Sequence, residues 1–351
     1  MWKIIRNCLL VLLLILLSAG GWLAYEANSF LTTSPEKEPG KDVYIDILPG
    51  STLPKIAALL QDKGVITDAF RFRLLARYKK MDTGLKAGRF LFRTDWLPEK
   101  ALETLVLGKP VLTRITIPEG LTYWQTAKIL ADAGFAPYDD LMKVLRDPEF
   151  LAHYGIPFAN AEGFLMPDTY LLKTPGEETK NDPRQAWKVC GRLVDNFWQK
   201  MQACWPDGKK PGTADLKKYV ILASIVEKET AVPAERARVA GVYANRLEKG
   251  MLLQADPTVI YGKGEAFDGN LTRAMLNDDN NAYNTYRKAG LPPGPICSFG
   301  LSAMKAAVVP EKHGFIYFVA VTDGGEHYFS KTLSEHNAAV RRYLQNRKKK
   351  Q

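Results

Sequence analysis

Hydrophobic and polar positions change their rhythm several times along the chain. From Asn7 to Tyr25 no residue is charged, and the stretch centres on the apolar run Leu9–Leu17. As a helix it rises roughly 28 Å, enough to cross a hydrocarbon core once. Residues 26–41 (EANSFLTTSPEKEPGK) mix Ser, Thr, Pro, Gly and charge without a period, so they read as a tether. Alternation then begins at Ile45. A short strand, a Gly-containing turn, a helix opened by Ser51/Thr52 and a Gly stop follow in IDILPGSTLPKIAALLQDKG, residues 45–64.

The same unit returns at an offset of 70 residues in ITIPEGLTYWQTAKILADAG, residues 115–134. Gly50 falls on Gly120, Thr52 on Thr122, Ala57 on Ala127, Leu60 on Leu130, Asp62 on Asp132 and Gly64 on Gly134. The first copy continues into a helix over 68–80 and a strand over 88–93. Its strand–PG–T-L–IA pattern resembles a LysM module, a small βααβ domain that binds N-acetylglucosamine polymers. A βα packing unit without a sugar site fits the same pattern. The helix of the second copy is expected to run on through 138–154 without a linker. Further on, the pattern predicts a helix starting near Arg184, a buried helix over 216–230 and another over 234–249. A hairpin over 315–330 and a final helix over 333–344 complete the reading.

Charge sharpens the first of these segments. The chain has 48 Lys+Arg against 38 Asp+Glu. Arg341, Arg342, Arg347, Lys348, Lys349 and Lys350 follow Glu335 with no acid among them, so a basic tail holds much of the excess. A nucleic-acid-binding body is not indicated. Lys3 and Arg6 precede the apolar stretch and Glu26 is the first charge after it. The positive-inside rule then leaves the N-terminus in the cytoplasm and the body outside, with Trp22 and Tyr25 at the outer interface. A cleaved signal peptide ending near Ser18-Ala19-Gly20 is the competing reading. Cys8, Cys190, Cys204 and Cys297 form no Cys-x-x-Cys, and an unbroken helix would hold Cys190 and Cys204 about 21 Å apart. Neither a disulfide framework nor a zinc or haem site is expected, and no cofactor is implied.

The chemistry concentrates in LKKYVILASIVEKET, residues 216–230. Tyr219, Val220, Ile221, Leu222, Ala223, Ile225 and Val226 are apolar almost all round a helix, which buries it. Glu227 stacks over the small residues Ala223 and Ser224, with Lys228 turned away by about 100° and Glu229 by about 200°. A carboxyl there should be desolvated and keep its proton towards neutral pH, as a general acid requires. The structural alternative is a buried pair with Arg236 or Arg238. Downstream, Gly/Pro-rich stretches read as loops carry Gln254, Asp256, Tyr261, Tyr283, Asn284 and Tyr286, the amide, hydroxyl and flat aromatic groups of a sugar groove. Asp256, Glu162 and Asp168 are the carboxylates to consider as helpers. His153, His313, His327 and His336 read as structural, and neither Gly-x-Ser-x-Gly nor a phosphate-binding Gly loop occurs.

ASIVEKET with LQADPTVIYG, then YNTYRKAGLPPGPI, IYFVA and EHYFSKTLSEHN, closely resembles the YceG/MltG family of membrane-anchored endolytic murein transglycosylases; EGFLMPDTY (162–170) resembles its upstream motif. Cys297-Ser298-Phe299 departs from the pattern, as does the polar segment 277–281. The resemblance implies that Glu227 is the catalytic glutamate and that the fold is α+β. The expected order is a cytoplasmic stub and transmembrane anchor (1–25), a linker (26–41), a LysM-like subdomain (42–110), a YceG-like catalytic domain (111–346) and the basic tail (347–351). It further implies peptidoglycan glycan strands as substrate, the inner membrane as location and peptidoglycan synthases as partners. A muramidase using water, with Asp256 as second carboxylate, and a non-catalytic glycan-binding scaffold remain the alternatives.

Overall fold

The computed structural model describes residues 2–48, 50–173, 175, 182–205, 208–321 and 325–348. The chain divides into two compact units: unit 1 is Met1–Arg114 with Leu171–Lys180, and unit 2 is Ile115–Tyr170 with Asn181–Gln351.

Unit 1 opens with α1 (Trp2–Thr32), one unbroken helix of 31 residues. Its apolar residues from Leu9 to Leu23 are exposed, and by length and composition it can cross a membrane. The helix does not stop where the charges resume, because residues 26–32 contain neither Pro nor Gly. Phe30 is buried in the core of the unit, and Glu26 pairs with Arg71. The rest of the expected tether is irregular but fastened. Glu36 N donates to Thr94 O (3.0 Å), Gly40 N to Asp95 Oδ2 (2.9 Å) and Lys41 N to Thr94 Oγ1 (2.9 Å). Residues 26–41 are therefore packed against unit 1 rather than free, a correction to the tether reading.

The chain then forms β1 (Asp42–Ile47), α2 (Leu53–Asp62), α3 (Ala69–Tyr78), β2 (Gly88–Arg93) and α4 (Pro98–Val106). β1 and β2 are antiparallel, with Asp42 opposite Arg93 and Ile47 opposite Gly88. Period-two alternation turns Ile45, Ile47, Phe90 and Phe92 inward. Helical spacing brings Ile56, Ala57 and Leu60 of α2, Phe72, Leu75 and Ala76 of α3, and Ala101, Leu102 and Leu105 of α4 against them. Burying each large apolar side chain contributes roughly 1.5–3 kcal/mol.

Unit 2 begins within β3 (Thr113–Ile117), followed by α5 (Tyr123–Asp132), α6 (Tyr138–Val144), α7 (Pro148–His153) and β4 (Asp168–Leu172), which pairs with β3. The single helix expected over 138–154 is broken in two, since Pro148 disfavours helical backbone at the residue before it and opens α7 at its own N-terminus, capped by Asp147. The second copy of the repeat is thus also strand, helices, strand. Its likeness to the first reaches individual hydrogen bonds. Val65 N to Leu60 O (2.9 Å) matches Phe135 N to Leu130 O (3.0 Å), and Gly50 and Gly120 share φ values of 79° and 80°. Only glycine adopts that backbone readily.

The remainder is α8 (Pro183–Met201), α9 (Thr213–Glu229), α10 (Arg236–Glu248), α11 (Asp256–Lys263), α12 (Arg273–Leu276), α13 (Leu301–Val308), β5 (Tyr317–Ala320), β6 (His327–Ser330) and α14 (Leu333–Lys348). α9 packs against α10, α11 and α13. Its residues Val220–Val226 are all buried. The stretch 253–264, expected as a loop, is mostly the helix α11, with Pro257 in its first turn where a missing N–H costs nothing. β5 and β6 are antiparallel, with Tyr317 opposite Ser330. The hairpin turn at 322–324 and tail residues 349–351 lie outside the described residues. Cys190, Cys204 and Cys297 are buried and free.

Candidate active site

The last turn of α9 presents three polar side chains in three directions, as steps of 100° dictate. Two strapping segments fix its surroundings. Residues 296–300 lie along α9, where Ile296 N donates to Ser224 Oγ (3.0 Å) and Cys297 Sγ to Ser224 O (3.3 Å). The turn after β3 joins that strap through Gly120 N to Ser298 O and Ser298 N to Leu121 O, both 2.7 Å.

Glu227 sits where these segments meet, its side chain 5% exposed. Arg236 Nη2 lies 2.7 Å from its Oε1, and Gly300 N donates to its Oε2 (3.0 Å). Arg236 also reaches Glu119 Oε2 at 3.6 Å and donates to Ser302 Oγ. Glu119, 49% exposed, is the outer member of the cluster. A Cβ on Gly300 would meet the Glu119 carboxylate, which would have to swing aside from its present place. Two acids therefore share one buried cation. Burial pushes the Glu227 carboxyl up; the Gly300 N–H and Arg236 pull against it, and the hydrogen-bonded Glu119 carboxylate pushes with it.

Lys228 turns the other way, donating to Gly120 O (3.2 Å) and lining a cleft of about 530 Å³. Trp124, Gln125, Ile260, Tyr261 and Phe267 form further walls. The rings of Trp124 and Tyr261 are 5.2 Å apart, and those of Tyr261 and Tyr283 4.8 Å. Beneath this aromatic row lies Glu162, fully buried, which accepts from Tyr123 N (3.1 Å) and Gly163 N (3.3 Å). Burial raises its carboxyl to about 8 against those N–H groups and the Tyr261 hydroxyl. Glu229 takes the third direction and pairs with Tyr243; burial raises it to about 7.

The sequence-derived candidates thus fall into separate groups. Tyr261 lines the cleft, and Tyr283 packs on its ring. Asp256 accepts from the Tyr286 hydroxyl (2.5 Å) and lies towards Glu229 rather than Glu227. Gln254 is exposed with φ of 50°, its N–H held by Thr285 O (3.1 Å). Asn284 is fully buried and its amide donates to Met275 O, Leu276 O and Asp278 O, which staples the loop and leaves no face for a ligand. Asp168 is paired with Lys200 (2.8 Å) on β4. Among the described residues, none of these hydrogen-bonds to Glu227, and no three His, Cys, Asp or Glu side chains converge as metal ligands.

Sequence reasoning missed Glu119, Trp124, Gly300 and Ser302. A signal for two of them existed in the repeat. Glu119 and Trp124 stand where the first copy has Pro49 and Pro54. The two copies diverge where the second carries its polar and aromatic site residues.

Residues 45–342 match the profile of the YceG-like family. A Bacillus subtilis (strain 168) protein named endolytic murein transglycosylase is 30% identical over 90% of this chain and 88% of its own length. A Streptococcus pneumoniae (strain D39) protein of the same name is 28% identical over 94% of this chain, which spans 64% of that longer relative. The crystal structure of a YceG-like protein from Listeria monocytogenes superposes with a TM-score of 0.54 at 32% identity, covering 85% of this chain and 99% of that one.

Proposed function

The chain belongs to the YceG-like family, and on that footing we propose that it is an endolytic murein transglycosylase held at the inner membrane by α1, with Glu227 as its acid and base. The observation that carries the assignment is the Glu227 carboxyl at the end of a buried helix, raised by desolvation and flanked by Arg236, Glu119 and the Gly300 N–H. The protonated carboxyl gives its proton to the oxygen linking N-acetylmuramic acid to N-acetylglucosamine as that bond breaks. The resulting carboxylate takes the proton of the muramyl C6 hydroxyl, whose oxygen attacks C1 and closes a 1,6-anhydro ring. Atoms balance without water, and one carboxyl serves both steps. Glu119 and Arg236 stabilise the two charge states in turn: with two acids on one cation, a single proton neutralises the cluster.

Trp124, Tyr261 and Tyr283 stack on sugar faces, Gln254, Asp256 and Tyr286 offer hydrogen bonds to sugar hydroxyls, and Asn284 holds the loop that carries Tyr283 and Tyr286. The βααβ order of unit 1 supports its reading as a LysM-like module that guides strands. Lys3 and Arg6 before α1's apolar run support a cytoplasmic N-terminus, with both units outside among peptidoglycan strands and their synthases.

The test incubates the full chain in detergent, and its Glu227→Gln variant, with uncrosslinked glycan strands, and identifies new sugar ends by mass spectrometry. Internal 1,6-anhydro-muramic ends, lost by about 10²–10⁴-fold in the variant, are expected. Reducing ends would make it a muramidase, and binding without cleavage a scaffold.

A further inference from the structure

α3 has two faces. Phe72, Leu75 and Ala76 enter the core of unit 1. On the opposite side Phe70, Leu74 and Tyr78 follow one another at every fourth position, 60%, 48% and 84% exposed. Arg73 and Arg77 fall within the same stripe, and Arg73 lies over the Phe70 ring at 5.4 Å. The helix contains no acidic residue, and Lys79 and Lys80 follow it directly. An apolar stripe edged by guanidinium groups has no partner in the described residues of unit 1.

Its height is fixed by another contact. Arg71, at the border of that stripe, pairs with Glu26, the first charged residue after the uncharged run of α1. Phe30, one turn further along α1, is buried in the same unit. α3 is about 15 Å long, so with α1 in a bilayer none of it lies far from the plane where the hydrocarbon ends. Cationic residues interleaved with aromatic and aliphatic ones suit that plane: the rings and Leu enter the acyl boundary while the guanidinium groups meet phosphates.

We propose that the Phe70–Leu74–Tyr78 face of α3, with Arg73 and Arg77, rests on the anionic phospholipid headgroups of the membrane that α1 crosses. The proposal rests on the anchored reading of α1, and its test separates the two.

The full chain is reconstituted in vesicles of phosphatidylethanolamine and phosphatidylglycerol with the photoreactive residue p-benzoylphenylalanine at position 14, 74 or 78, each exposed. Irradiation is followed by intact-mass analysis. Lipid adducts at 14, 74 and 78 are expected, and those at 74 and 78 should fall roughly tenfold or more when Arg73→Glu and Arg77→Glu are combined. Adducts at 14 without any at 74 or 78 overturn the docking face and leave the anchor standing. Adducts at 74 that ignore the charge reversal overturn the headgroup contact. Absence of adducts at 14 overturns the anchor, and the docking face with it.

Discussion

Glu119 bears on the protonation of a neighbouring side chain. It shares Arg236 with Glu227 and is among the groups that push the Glu227 carboxyl up. Replacing it by Gln removes a negative neighbour but keeps the shape. Glu227 should then lose its proton at lower pH, so the alkaline limb of the cleavage profile should move towards acid. Cleavage at the acidic end should change much less. A pH–rate profile of Glu119→Gln beside wild type checks this; an unmoved limb would detach Glu119 from the acid. The same residue marks what a sequence withholds. Glu227 stands out because an acid interrupts an apolar helix, whereas Glu119 lies in an ordinary Pro-Glu-Gly turn. It becomes notable only when the 296–302 strap brings Gly300 beside it, a contact between positions far apart in the chain.

At the scale of elements, α5 is the part most dependent on its first turn. Thr122 accepts from Gln125 N, and the Gln125 side chain accepts from Thr122 N (3.0 Å). This capping box starts the helix at Tyr123 and Trp124, the latter a wall of the cleft. Thr122→Ala should cost about 1 kcal/mol of stability, measurable by chemical denaturation, and should weaken glycan binding as Trp124 loses its fixed position. In the first repeat copy Thr52 caps without a side-chain bond, and Pro54 sets the helix instead. Periodicity and glycine positions were enough to read both copies, because their turns and helix stops are local. The break at Pro148 and the helix α11 were misread. The expected helix over 138–154 runs straight through Pro148, and the stretch around Pro257 reads as loop, whereas each Pro stands in the first turn of a new helix.

For the whole molecule, buried acids make stability depend on pH in an unusual direction. The Glu162 carboxyl is about 8 when folded against 4.5 ordinarily. Between those values the unfolded chain has released a proton that the folded chain keeps, so folding stability falls as pH rises and levels off above the folded value. Glu229 adds a contribution of the same sign up to about 7. Glu162→Gln should flatten much of that slope, narrowing the difference between pH 5 and pH 8.5 by one to a few kcal/mol, on the order of 1.4 kcal/mol for each tenfold change in proton affinity on folding. Denaturation curves at the two pH values would show it; an equal slope in wild type and variant would mean that Glu162 stays ionised in the fold.

The unbroken passage of α1 into unit 1 has a mechanical consequence. A free linker of sixteen residues would let its load roam over roughly 20–24 Å. Phe30 and the Glu26–Arg71 pair remove that freedom. With α1 in a bilayer, unit 1 rides like a lantern on a stiff post, turning and tilting only as the post does. Unit 1 would then keep one distance from the bilayer surface instead of ranging through the space a tether allows.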